Sequence, residues 1–347
     1  MLPVSRLFIP LCQRSFRFAS IRKVSNKPST TAKSSGPLSP LKKYVFTTYV
    51  NFIKNYEFQL EKRFPSAFKI YRIFKVGAQD LYRDIKLFIV IRKKLNLHNR
   101  NLRCLTRKEL ELYYQMPKDM IRVAPVLLIS ALPFTNYVVF PLAYLFPRQL
   151  LSSHFWSIQQ KTQFAVLDQK SRLKYYKPVF RCLQAKLRLV KSDPLYISWR
   201  RCIALLGSGL HPNIRKIAKC QPLFSTGQVY HIENLSSHHI SCLLKMHNMH
   251  FSWRRVKNLV ERAKMIHLLD LAIAEEGGVP CLNNDEIRAA CFLRGFNPTN
   301  TNTEETIVWL TQWIELSSQL KDDSWSFILH LPILTAYNHP SNWVLIH

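Results

Sequence analysis

Apolar residues recur at helical spacing through most of the chain. Over 62–97, Phe68, Tyr71, Phe74, Leu81 and Phe88 fall among lysines and arginines, which gives one apolar face and one basic face. Such a helix suits an anionic membrane surface, a partner helix or its own domain. The same period predicts helices over 44–60, 158–175, 178–191, 195–207, 236–250, 253–275, 284–294, 304–320 and 324–336. Thr106…Glu109 and Ser157…Gln160 have capping-box spacing. Asn283…Glu286 can cap another start, and Gly295 can close that helix in the left-handed conformation. Residues 296–303 read as a polar loop. No alternating strand pattern of useful length occurs, so the fold class is all-α.

One stretch breaks the amphipathic pattern. Between Arg122 and Arg148 lie 25 residues without a charge, VAPVLLISALPFTNYVVFPLAYLFP. As one helix this is about 37 Å long, enough to cross a hydrocarbon core of about 30 Å with tilt. The expectation is a single transmembrane helix over 123–147, marked by Val123, Pro133, Phe134, Asn136, Pro141 and Pro147. A buried helical hairpin is the alternative. Prolines are tolerated in a membrane helix when neighbours satisfy the freed carbonyls. From Val123 to Pro147 there is no Asp, Glu, His, Lys or Arg, so nothing there is suited to carry a proton. Asn136 can hydrogen-bond a neighbouring helix.

Charge is distributed unevenly. Fifty Lys and Arg against 21 Asp and Glu give +29. Residues 1–56 hold ten cations and no acid, and Glu57 is the first acid in the chain. With Arg6, Arg14, Arg17 and Arg22 among Leu, Phe, Ile and Ser, the opening has the composition of a mitochondrial presequence. Arg17-Phe18-Ala19-Ser20 fits a matrix processing site near Phe18 and Ala19. The expected organisation is a presequence and linker over 1–43, a basic helical region over 44–122, the span, and a helical domain over 148–347. Residues 148–220 hold fifteen cations and two acids, +13. Within them Arg200, Arg201, Arg215, Lys216 and Lys219 are candidate contacts for RNA or anionic lipid.

Several classes lose support. Only 8 residues are glycine, and neither a G-x-G-x-x-G nor a P-loop motif occurs. The 8 cysteines include no C-x-x-C and read as thiols of a reducing compartment. His231, His238, His239, His247 and His250, with Cys242, match no zinc spacing. Adjacent acids at 275–276, 304–305 and 322–323 diverge on a helix and make poor acid–base pairs. Trp309 and Trp313 share one helix face and read as core. No catalytic residue, cofactor, metal or small-molecule substrate is expected.

Three blocks resemble the LETM family (leucine zipper, EF-hand and transmembrane) of mitochondrial inner-membrane proteins. The first is LPFTNYVVFPLAYLFPRQLLSSHF, residues 132–155. The second is Leu282-x-x-x-Glu286-Ile287-x-x-Ala290-Cys291-x-x-Arg294-Gly295. The third is Trp309-Leu310-x-x-Trp313-Ile314-x-Leu316. Together they cover roughly 117–336, and the chain is most similar to the short animal member. The resemblance implies a 14-3-3-like, ribosome-binding-like domain facing the matrix and tethered to the inner membrane. It also implies roles in mitochondrial organisation, respiratory-chain biogenesis and cation homeostasis. Larger members carry a glutamate in the span where Asn136 stands here, and that substitution weighs against proton coupling.

The leading expectation is a single-pass inner-membrane tether or assembly factor, with the mitochondrial ribosome and cardiolipin as candidate partners. A proton-coupled cation antiporter, acting as a homo-oligomer, is the alternative, and a matrix RNA-binding protein is a third. Orientation is contested. Arg103, Arg107, Lys108, Lys118 and Arg122 precede the span within twenty residues, and Arg148 and Lys161 follow it. The positive-inside bias therefore places the N-terminal flank in the matrix, whereas the resemblance places the C-terminal domain there.

Overall fold

The computed structural model describes residues 65–130, 136–249, 253–320 and 323–346, within one compact unit, Phe64–His347. The expected presequence with Phe18 and Ala19, the linker and the 44–60 helix lie outside the described residues. Among the described residues every regular element is helical.

Helix α1 (Pro65–Leu97) turns back through Asn99 and Arg100, both at positive φ, into α2 (Arg107–Ser130). The reciprocal cap predicted at the start of α2 is present: the Thr106 N–H donates to Glu109 at 2.9 Å, and the Glu109 N–H donates to the Thr106 hydroxyl at 3.4 Å. Near the turn, Ile91 and Leu95 share a core with Leu105 and Leu110. Farther away, Leu81 and Phe88 share a second core with Met116, Val123 and Val126. The two helices are therefore antiparallel.

The single helix expected over 123–147 is divided. Val123 lies inside α2, which ends at Ser130; a second helix, α3 (Asn136–Leu145), carries Pro141; and Pro147 opens the short α4 (Pro147–Leu150). Pro133 and Phe134 lie outside the described residues. Val139 and Ala143 of α3 fold back into the apolar cluster of Val123 and Val126, so these side chains are buried by protein. Among the described residues no helix is long and apolar enough to cross a membrane.

The bundle continues through α5 (Ile158–Leu173), α6 (Tyr176–Ala185), α7 (Tyr196–Gly207), α8 (Ile214–Lys219) and α9 (Ser237–Met246). Then come α10 (Arg255–Glu275), α11 (Asn284–Arg294), α12 (Thr303–Ser318), α13 (Trp325–Ala336) and α14 (Pro340–Trp343). These match the expected helices closely, apart from α8 and α14, whose few residues carry too little periodicity to read. Helix α10 is central and packs against α2, α9, α12 and α13.

Buried polar groups fix the packing around α10. Asp270 of α10 accepts from Arg294 Nε at 2.8 Å, from Arg294 Nη2, and from Trp313 Nε1 at 3.1 Å. One carboxylate thus joins α10, α11 and α12. Gly295 ends α11 at φ 88°, in the left-handed region. Its carbonyl accepts from Gln169, Tyr176 and Asn342 at 2.7, 2.8 and 3.2 Å. A Cβ there would meet the Tyr176 hydroxyl at 2.1 Å, so glycine is required twice over. Arg172 of α5 has no carboxylate. It donates to the Met246 carbonyl at 2.8 Å and to those of Phe292 and Leu293, at the C-terminal ends of α9 and α11, where the helix dipole favours a cation.

Asp270→Asn leaves Arg294 buried without a counter-charge. Such a loss costs roughly 3–5 kcal/mol. The full-length variant is expected to unfold at markedly lower urea than the parent. Asp270→Leu with Arg294→Met, which removes both charges, is expected to recover part of the loss; equal loss in both variants would show that the charge imbalance is not the cause.

Candidate polyanion interface

The five cations singled out in the sequence lie on two packed helices. Helix α7 buries Trp199, Cys202, Ile203 and Leu206, a helical stripe that turns Arg200 and Arg201 outward, where both are exposed. Helix α8 buries Ile217 and exposes Arg215, Lys216 and Lys219. Asn213 caps α8 by accepting from the Arg215 N–H at 2.9 Å. Helices α7 and α8 pack on each other, so both sets belong to one region of the surface.

Nothing acidic within 148–220 neutralises them. Of the two acids there, Asp168 pairs with Arg148, and Asp193 accepts the Leu195 N–H at 2.7 Å. Of the fifteen cations, Arg172 is buried, Arg148 is paired, and Lys186 donates to the carbonyls of Val229 and Asn234. The other twelve are exposed. A surface of one sign with this density attracts polyanions and repels cations at long range.

The residues of the second and third sequence blocks do something else. Glu286 accepts from the Asn283 N–H at 3.1 Å, completing the predicted capping box. It also pairs with Arg107 at 2.7 Å and Lys108 at 3.3 Å. Arg107, itself buried, further reaches Glu111 at 2.8 Å and Glu276 at 3.5 Å. This hub ties the start of α2 to α10 and α11. Arg294 and Trp313 bond Asp270, the Gly295 carbonyl collects Gln169, Tyr176 and Asn342, and Trp309 Nε1 donates to the Thr335 carbonyl at 3.2 Å. Both tryptophans are buried, as expected. These blocks build the framework.

Two histidines meet in the core. His330 Nδ1 donates to the Ser326 carbonyl at 2.6 Å, so its Nε2 accepts from His239 Nε2 at 2.9 Å. Burial, reinforced by neighbouring cationic groups, pushes His239 down to about 2. Burial likewise pushes His330 down to about 4. His247 donates to the Leu329 carbonyl at 3.0 Å, and His250 lies outside the described residues. Among the described residues no three His, Cys, Asp or Glu are grouped to hold a metal ion. Asn136 is the first residue of α3.

The family model described as "LETM1-like, RBD" matches residues 105–334. The chain belongs to that family. It is 30% identical over 303 residues to LETM1 domain-containing protein 1 of Homo sapiens, covering 86% of this chain and 83% of the relative. The protein of the same name from Xenopus tropicalis is 29% identical over 291 residues, covering 82% of each. That of Bos taurus is 29% identical over 299 residues, covering 85% and 82%. No solved structure matches. The LETM1-like match starts at Leu105, beside the Arg107 hub, and so takes in the divided apolar stretch as well as the bundle.

Three residues central to this LETM1-like domain are not marked by periodicity or charge count: Asp270, Arg107 and Arg172. Asp270 sits in His267-Leu268-Leu269-Asp270-Leu271, and an acid enclosed by leucines is the clue that it is buried. Arg107 and Arg172 are hidden by the cations around them.

The hub gives the domain an acid-sensitive element. Burial alone would raise the Glu286 carboxyl, but hydrogen bonds from Arg107 and Asn283 and the charge of Arg107 outweigh it and hold the group below 4.5. Glu109 is likewise lowered, because Lys94 and Thr106 outweigh its burial. Groups with depressed folded values stabilise fully above their unfolded value and lose that contribution as pH falls through the folded one. Stability is therefore expected to drop below about pH 4.5. Arg107→Met is expected to cost roughly 1–2 kcal/mol at neutral pH and to flatten that acid limb. Urea unfolding across pH checks both; an unchanged acid limb would separate Glu286 from the effect.

Proposed function

We propose that this chain is a non-enzymatic mitochondrial inner-membrane protein whose helical domain docks the mitochondrial ribosome from the matrix side. In that position it supports mitochondrial organisation, translation-coupled respiratory-chain biogenesis or ion homeostasis. The observation that carries this reading is the unneutralised cationic face of α7 and α8. Membership of the LETM1-like family supports it, because RBD in that family denotes a ribosome-binding domain. Ribosomal RNA offers a dense phosphate array, and neutralising it releases counterions. Cardiolipin is the second polyanion within reach of a membrane-anchored domain. Proton-coupled exchange has weaker support, because no residue from Val123 to Pro147 is suited to carry a proton.

Co-sedimentation of detergent-solubilised full chain with mitochondrial ribosomes tests the reading. Binding is expected to fall steeply with salt. Changing Arg200, Arg201, Arg215, Lys216 and Lys219 to Gln is expected to weaken it and flatten the log–log salt slope by about 0.7–0.9 for each phosphate that is no longer neutralised. Salt-insensitive binding, or binding to cardiolipin vesicles with none to ribosomes, would reassign the partner.

Import rests on the acid-free 1–56 segment. Mass spectrometry of the mitochondrial protein is expected to find the mature N-terminus between residues 19 and 40. Intact Met1 on imported protein would remove the presequence.

A further inference from the structure

We infer that the α2–α3 hairpin enters a single leaflet of an anionic bilayer, so that both chain flanks of the charge-free stretch stay on one side of the membrane. This rests on the membrane reading above and specifies its geometry.

The two ends of the stretch meet. Arg122, the last charge before it, places its guanidinium 6.0 Å from the centre of the Trp156 ring. The Trp156 indole N–H donates at 3.0 Å to the carbonyl of Pro147, the last residue of the stretch. One indole therefore bridges the entry and the exit. A single pass would hold them about 30 Å apart, the thickness of the hydrocarbon core.

Depth agrees with one leaflet. The part of α2 within the stretch, Val123 to Ser130, rises about 12 Å at 1.5 Å per residue. Helix α3, with its 10 residues, rises about 15 Å. Half of a core of about 30 Å is about 15 Å.

Sidedness agrees as well. Val123, Val126, Val139 and Ala143 are turned inward and buried. Leu127, Leu128, Ile129, Leu142, Leu145 and Phe146 are turned outward, each between 46% and 72% exposed. Six large apolar side chains on one hairpin form a patch that water does not favour. Lys118 and Arg122, the last charges before the stretch, are exposed. Tyr144 and Trp156 line a surface groove together with Pro147 and Arg72, as aromatic residues do at a headgroup layer. An apolar end above a cationic, aromatic base fits lipid tails below anionic headgroups. A second copy of the chain would bring the same cations together.

The test uses the full chain with two identical protease sites inserted in exposed turns, one after Arg100 and one after Gly209. It is reconstituted into vesicles of phosphatidylcholine and cardiolipin, and protease is added outside. For the hairpin, each molecule is cut at both sites or at neither, it resists carbonate extraction, and the fragment between the sites accumulates. Leu128→Glu with Leu145→Glu is expected to release the chain into the carbonate supernatant with its helical circular dichroism retained. Cutting at one site only, with no middle fragment, overturns the hairpin and leaves the membrane reading standing. Recovery of the parent chain in the supernatant, as monomer or dimer, overturns both.

Discussion

A guanidinium taken out of water must find acceptors in fixed directions, and the placing of Arg294 on Asp270 organises the helices around it. The pair sets the rotation of α10 against α11. Because Asp270 also accepts from Trp313, it sets α12 as well. Arg294 is followed by the left-handed Gly295, whose carbonyl collects donors from α5, α6 and α14. Two consecutive residues thus hold much of the bundle. An apolar pair of equal volume would cost less to bury, so the value of the ion pair lies in geometry: it satisfies one arrangement of helices and penalises others.

The charges divide into those that build the domain and those left for a partner, and the division follows burial. Arg107, Arg172 and Arg294 are buried and engaged, by carboxylates or by carbonyls at helix ends. Twelve cations of 148–220 are exposed on a stretch whose two acids are already engaged. Counting alone gives +13 there without distinguishing Arg172, which donates to three carbonyls inside the bundle, from Arg200, which faces solvent. The difference is one of helical phase. Arg172 follows Gln169 on the buried side of α5, whereas Arg200 follows Trp199, whose ring occupies the buried side of α7.

Helices and caps were legible because their physics is local. Ser157…Gln160 and Asn283…Glu286 form the boxes their spacing predicts, and Gly295 adopts the conformation its place after Arg294 predicts. The charge-free stretch was legible as apolar but not as one helix or two. Hydropathy is additive along the chain and does not register a fold-back. Length arithmetic on 25 residues presumes continuity, and four prolines at 125, 133, 141 and 147 were the warning against it. Long-range pairings such as Asp270 with Arg294 and Arg107 with Glu286 need the tertiary fold, since each partner is an ordinary charged residue in isolation.

The leaflet-deep hairpin also removes a contradiction about orientation. The flank before the charge-free stretch carries more cations than the flank after it, which draws that flank to the matrix, while the family resemblance places the following domain in the matrix. A single pass can satisfy only one of these. A hairpin whose entry and exit meet at Trp156 satisfies both, because the two flanks share a compartment. The folded charges narrow the contrast further. Arg107 and Lys108 are held by Glu111, Glu276 and Glu286, and Arg148 by Asp168. With those cations engaged, Arg103, Lys118 and Arg122 remain before the stretch and Lys161 after it, and in a hairpin both sets face the same anionic headgroups.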